Sequence, residues 1–283
     1  MDRSLPVVLD DLLSRDVSLP VCPIIFIRLT EALEHSDDRN LDLASTLSAD
    51  TALTSQVLRV ANSVMYGLVR QVRSIDEAVM RLGFIEVWTI AAALKAKELY
   101  CISRPEWTEL SNNLWRHALQ TATLVKCLGK RAYSENISEL FTAGILHDIG
   151  KLVLHQVSPQ YALLAENGAL RGNALILREQ DFFGTHHGRV GGELLKRWNL
   201  PDTLVALVAG HHDGVPEGGE LSREQALLWL ANDMAYAPSP AEQMPKLVLP
   251  QAALAATGLG EAQCWDLALE AQQQLALLQS LQG

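Results

Sequence analysis

Apolar residues recur at three- and four-residue spacing along most of the chain, and the two-residue alternation of half-buried strands is scarce. This periodicity predicts an all-α protein. After Leu19-Pro20 and Pro23, residues 24–33 carry one helical stripe, and a second helix is signalled around Leu43 and Leu47. A third begins at Asp50, whose carboxylate suits an N-cap. It lines up Leu53, Val57, Val60 and Ala61 on one face and closes toward Gly67. Ser74-Ile75-Asp76-Glu77 has the Ser-x-x-Glu form of a capping box, in which each side chain satisfies a free backbone N–H. Ile75, Val79 and Leu82 follow as the stripe, and Gly83 as the stop. A long apolar helix is expected from Phe84 to about Leu99. Together these short helices form a bundle that carries no cluster of reactive side chains.

Pro105 and the polar run Ser111-Asn112-Asn113 mark the expected boundary between two units, residues 1–110 and 111–283. Two units suit a length prior of about 150 residues per domain. Beyond the boundary the stripes predict helices over residues 120–131, 140–154, 188–198, 203–209 and 225–236. A proline-rich loop at 238–250 and a final Ala/Leu/Gln-rich helix complete the chain. Gln272, Gln273 and Gln274 are good helix formers and fit that last element.

Composition narrows the class. With 48% hydrophobic and 20% charged residues, the chain can bury a sizeable core. A formal charge of −10 argues against broad binding to nucleic acid or to an anionic membrane, since both need a surplus of Lys and Arg. Cys22, Cys101, Cys127 and Cys264 are scattered with no Cys-x-x-Cys pair, as expected of buried thiols in a reducing compartment. The acidic first twenty residues lack the form of a signal peptide, and no apolar run approaches the roughly 18 residues of a membrane span. The expected location is cytoplasmic. Phosphate-loop, dinucleotide-binding and nucleophile-elbow motifs are all missing from the sequence.

Histidine placement is uneven: seven of the eight lie between His117 and His212, with His35 the exception. His147 and Asp148 are adjacent in Ala143-Gly144-Ile145-Leu146-His147-Asp148-Ile149-Gly150-Lys151. Neighbours on a helix point about 100° apart, so the two can meet only on an object lodged beside the helix, and a metal ion is such an object. His117 shares a stripe with Leu114, Thr121 and Leu124 and so faces inward. His186-His187 stands at a helix start, His211-His212 follows Val208-Ala209-Gly210, and Asp233 is a carboxylate amid apolar neighbours. Each position has a plain alternative: a core histidine bonded to a carbonyl, a polar helix end, an exposed carboxylate. Lys151, one turn beyond His147, could face a phosphate or simply be solvated, and His155 reads as a surface or packing residue. The set as a whole points to a metal site, and a polar core without metal is its competitor.

The ordered series His117, His147-Asp148, His187, His211-His212, Asp233 resembles the HD superfamily of metal-dependent phosphohydrolases, and residues 17–236 resemble its HDOD branch. In the first half the likeness is carried by residues 50–54, 57–63 and Ser74-Ile75 through Leu82-Gly83. In the second half it is carried by residues 141–151, Gly184 to Gly191 and Trp198-Asn199-Leu200-Pro201. The resemblance implies a helical bundle packed on an HD-type helical domain. It also implies one or two divalent ions: iron, manganese, zinc or nickel. One ion would be held by His117, His147, Asp148 and Asp233, with Asp148 bridging to another held by His187, His211 and His212. Asp148 and Lys151 would serve any catalysis. No Gly-Tyr-Pro follows the second HisHis pair, unlike the cyclic-di-GMP-cleaving HD branch. The function implied is a regulatory, signal-transducing module, acting with a signalling protein partner and a nucleotide or phosphate ligand. The alternative is an active phosphohydrolase of phosphoesters or nucleotides.

Overall fold

A computed structural model of the chain describes residues 27–28, 39–100, 108–158, 161, 172–215, 219–236 and 248–280. Among them every regular element is helical, as the periodicity predicts, and no helix is long and apolar enough to cross a membrane. Of the expected first helix only Ile27 and Arg28 are described, and both are helical; the rest of it, most of the Pro-rich loop, Cys22, Cys101 and Pro105 lie outside the described residues.

Among the described residues the first bundle contains α1 (Arg39–Ser48), α2 (Thr51–Ala61), α3 (Ile75–Leu82) and α4 (Phe84–Tyr100). Asp50 caps α2 by accepting the Leu53 N–H at 2.9 Å. The helix stops at Ala61, short of Gly67, because a 3-10 turn, Val64–Tyr66, takes up the last residues before Gly67 turns left-handed. Ser74 caps α3 by accepting the Glu77 N–H at 3.1 Å. The reciprocal half of the box is displaced by one residue, since the Glu77 carboxylate accepts from the backbone of Arg73. Helix α4 buries Val87, Trp88, Ile90, Ala91 and Leu94 around most of its circumference, so it forms the centre of the bundle.

The second half comprises α5 (Thr108–Arg131), α6 (Ile137–Leu146), α7 (Ile149–Val157), α8 (Asn173–Phe183), α9 (His187–Arg197), α10 (Asp202–Ala209), α11 (Arg223–Ala235), α12 (Gln251–Thr257) and α13 (Glu261–Ser280). Residues 111–113, read as boundary polarity, are helical near the start of α5, and the 110/111 division falls in that opening stretch. The helix expected over 140–154 is broken at His147-Asp148. Asp148 adopts φ −98°, ψ 6°, in the sparsely populated bridge region where many active-site residues sit. Helix α8 has no counterpart in the sequence reading. The final helix is two, because Gly258 turns left-handed between α12 and α13.

One apolar core runs from α1 through α10 and so crosses between the halves. Trp88 packs edge-on against Phe141, with ring centroids 6.1 Å apart. Lys126 on α5 is buried and donates to both Glu86 oxygens on α4, at 2.9 and 3.1 Å, while Tyr66 also donates to Glu86. Burial raises the Glu86 carboxyl, but Lys126 and Lys130 outweigh it and hold the group below its ordinary value. A second core gathers α5, α11, α12 and α13 around Val125, Leu128, Leu227, Leu230 and Trp265, and encloses the free thiols Cys127 and Cys264.

Candidate metal centre

Two glycines set the distances on which the site depends. A Cβ at Gly144 would lie 2.5 Å from the Ala122 Cα, and one at Gly150 would lie 2.0 Å from the His187 carbonyl oxygen. Without side chains there, α6 can close on α5 and α7 on the start of α9. The break between α6 and α7 lies between these two approaches, so His147 turns toward His117 and Asp148 toward His187.

Two groups of ligand atoms result, each with its members within 4.8 Å of one another: His117, His147 and Asp148, and Asp148, His187, His211 and His212. His117 Nε2 lies 3.2 Å from His147 Nε2 and 3.6 Å from Asp148 Oδ2. His187 Nε2 lies 3.2 Å from Asp148 Oδ1 and 3.1 Å from His212 Nε2. Backbone carbonyls fix the rings. His147 Nδ1 donates to Gly144 O at 2.8 Å and His211 Nδ1 to Val208 O at 2.7 Å, so each Nε2 faces the cluster. His147, Asp148, His187 and His211 are fully buried or nearly so, and Tyr236 stacks on the His117 ring with centroids 4.1 Å apart.

The structure places two expected residues differently from the sequence reading. Asp233 is not in either group; its inward neighbour Asn232 brings Oδ1 to 2.9 Å from His117 Nε2. Adjacent positions on α11 diverge by about 100°, so turning Asn232 into the core turns Asp233 away. Desolvation pushes the Asp233 carboxyl up to about 6. Lys151 is buried rather than solvated, with Nζ 2.7 Å from Asp148 Oδ2. His155 is buried and stands apart from both groups, in keeping with the packing half of its reading.

Two residues of the site are missing from the sequence reading. Glu179 on α8 accepts His187 Nδ1–H at 2.7 Å and the His187 backbone N–H at 2.8 Å, and Tyr161 donates its hydroxyl to the same carboxylate at 2.5 Å. The available signal was a glutamate on the buried stripe Leu175, Ile176, Glu179, Phe183. A carboxylate behind a histidine ring fixes its tautomer and raises its basicity as a ligand.

The charges follow from burial and these contacts. Desolvation takes His117 down to about 3 and His212 to about 2, and drives His211 well below its ordinary value. These rings are neutral at pH 7, as a metal ligand must be. Burial would lower His187 too, but the Glu179 carboxylate outweighs it and raises the group. Burial would raise Asp148, yet His147 and Lys151 hold it well below the usual carboxylate range. Asp148 Oδ1 and His211 Nε2 are buried with no hydrogen-bond partner among the described residues. Atoms of that kind in a fold ordinarily have an ion or water to explain them. The donor set of imidazole nitrogens and one carboxylate therefore fits a divalent transition-metal ion.

The comparisons agree with this architecture. The family model of the HDOD domain matches residues 19–214. The chain belongs to the HDOD family. Its fold is that of a candidate signal-transduction protein from Marinobacter aquaeolei VT8, at a TM-score of 0.74 and 20% identity, over 98% of this chain and 65% of the other. A candidate phosphohydrolase from Shewanella amazonensis SB2B superposes at a TM-score of 0.70 and 22% identity, over 98% of both chains. An uncharacterized protein of Treponema pallidum (strain Nichols) is 26% identical over 196 residues, and those are 69% of this chain and 38% of that protein. The HDOD chain thus spans well under half the length of that relative.

Proposed function

We propose that this HDOD protein is a regulatory module of signal transduction, in which a His/Asp metal centre in the second half sets the packing of the first half against it. The observation that carries this reading is a direct link between bundle and site. Tyr100, the last residue of α4, is buried and donates its hydroxyl at 2.5 Å to the carbonyl of Ile145, two residues before His147. Any shift of the α6–α7 break on metal binding moves that acceptor, and α4 is the central helix of the bundle. A protein partner reading the bundle surface, with a nucleotide or phosphate ligand acting at the centre, would complete the device. Burial of the ligand atoms suits a centre that is held rather than one turning over substrate at an open face.

Hydrogen exchange tests the proposal. Amides of residues 84–100 should exchange more slowly in zinc-loaded than in chelator-treated protein, and Tyr100→Phe should abolish most of that difference. Identical exchange in the two forms overturns the regulatory coupling.

The donor set of five histidines and Asp148 favours a second reading, a phosphohydrolase acting on a nucleotide or other phosphoester. A bound ion would supply Lewis-acid polarisation of a phosphate and a more acidic water. His117, His147, His187, His211 and His212 would hold ions with Asp148, and Lys151 would keep the Asp148 carboxylate charged and oriented. Turnover of aryl phosphate, mononucleotides or cyclic dinucleotides above an Asp148→Asn control is the result that would favour this reading over the first.

A further inference from the structure

The two oxygens of Asp148 meet different surroundings. Oδ2 accepts from the Lys151 ammonium at 2.7 Å. The ring beside it is also engaged: His117 Nε2 lies 2.9 Å from Asn232 Oδ1. Asn232 is a neutral amide, where a second carboxylate would help to hold a cation. The charge facing this side is therefore one carboxylate already shared with one ammonium.

Oδ1 faces three imidazoles. His187 Nε2 is at 3.2 Å, His211 Nε2 at 3.8 Å, and His212 Nε2 lies 3.1 Å from His187 Nε2. Metal–nitrogen bonds of about 2.0–2.1 Å give tetrahedral donor–donor edges of roughly 3.3 Å. That is close to these separations and also to the 3.2, 3.4 and 3.6 Å on the Oδ2 side, so the unpartnered atoms and the charges decide between the sides. The buried cluster atoms without a hydrogen bond among the described residues, Asp148 Oδ1 and His211 Nε2, are both on this side. The Glu179 carboxylate behind His187 adds negative charge here, while the Lys151 ammonium adds positive charge on the other.

We propose that the centre is mononuclear, with one divalent transition-metal ion on Asp148 Oδ1, His187, His211 and His212, and that Lys151 and Asn232 take the place of a second ion on the His117/His147 side. Lys151 acts as a tethered cation. It neutralises Oδ2 and so removes the charge that a bridging carboxylate would offer a second metal. This inference rests on the metal-centre reading above, and goes beyond it in fixing the number of ions and their position.

The test starts from wild-type protein. It is stripped with chelator, reloaded with excess zinc, freed of unbound zinc by gel filtration, and measured by elemental analysis and zinc X-ray absorption. One zinc per chain with a first shell of three imidazoles and one carboxylate oxygen is the expected result. Two zinc ions per chain overturn the mononuclear assignment and leave the metal-centre reading standing. One ion bound by two imidazoles overturns the assignment of the side. No zinc overturns both. Two variants read the same point through stoichiometry alone: His117→Ala should keep one zinc, and the paired change Lys151→Met with Asn232→Asp should raise the count to two. Loss of the single zinc in a folded His117→Ala protein contradicts the proposal.

Discussion

Residues 39–100 and residues 108–236 bury their surfaces by different means. Among the described residues of the first stretch, Thr89 is the one buried polar side chain, and it donates to the carbonyl of Ile85 one turn back. The second stretch buries Lys126, His147, Asp148, Lys151, Glu179, His186, His187, His211 and Asn232. Buried charge costs free energy unless it is paired, whereas buried apolar surface stabilises by about 25 cal/mol per Å². The first region is therefore built for stability and for contact with its neighbour. The second accepts a stability cost to keep donors together, and that concentration of polar cost locates the site more sharply than any single histidine.

The largest expected effect breaks the polar cluster. In metal-free protein, Asp148→Asn leaves the Lys151 ammonium buried without its counter-charge and should cost about 3–5 kcal/mol in urea denaturation. The double change with Lys151→Met should recover much of that loss. If the single and double variants are equally unstable, the pair does not carry the cost assigned to it.

Lowering pH stresses the same cluster. Burial holds His117 at about 3 and His212 at about 2 in the folded state, against an ordinary histidine value of 6.5. Between those values and 6.5 the unfolded chain binds more protons than the folded one, so stability rises with pH and is lost as pH falls below about 6.5. Each group of this kind contributes at most about 1.4 kcal/mol per pH unit. Asp233, raised to about 6, acts in the opposite sense between its ordinary 3.8 and 6 but is a single group. The melting temperature of metal-free protein should therefore drop from pH 7 to pH 5. A flat profile would show that the histidines are not desolvated as described.

How much of this was legible in the sequence follows from its physical range. Helical stripes and caps are local, so Asp50 and Ser74 could be read directly, and each caps its helix. The spacing of His117, His147-Asp148, His187 and His211-His212 also survives in one dimension, and the fold brings these residues together. What could not be read depends on tertiary approach. The break at Asp148 has no proline to announce it, and it follows from α6 and α7 closing on different neighbours at Gly144 and Gly150. The choice of Asn232 over Asp233 is a matter of about 100° of helix rotation, set by which face of α11 packs inward. Glu179 reaches His187 from another helix, and Tyr161 reaches that carboxylate in turn, so their roles appear only in three dimensions.

Smaller changes sharpen the contrast. Glu179→Gln should weaken zinc binding by about 10- to 100-fold, as loss of a carboxylate behind a metal-ligating histidine does. Competition with a coloured chelator measures this, and unchanged affinity would make Glu179 purely structural. Asp50→Ala in the first bundle should cost about 1 kcal/mol through loss of the α2 cap and leave zinc content unaltered. A drop in zinc content there would show that the two regions are less separable than their cores suggest.

The central claim is that the His/Asp cluster binds a divalent ion in the folded protein. Scanning calorimetry with increasing free zinc tests it most directly. A ligand that binds the folded state raises stability by RT ln(1 + [L]/Kd). Wild-type protein should show a melting temperature that climbs with the logarithm of zinc concentration, and His211→Ala should show no such climb. A wild-type melting temperature indifferent to zinc, or an equal rise in the two proteins, would contradict the account.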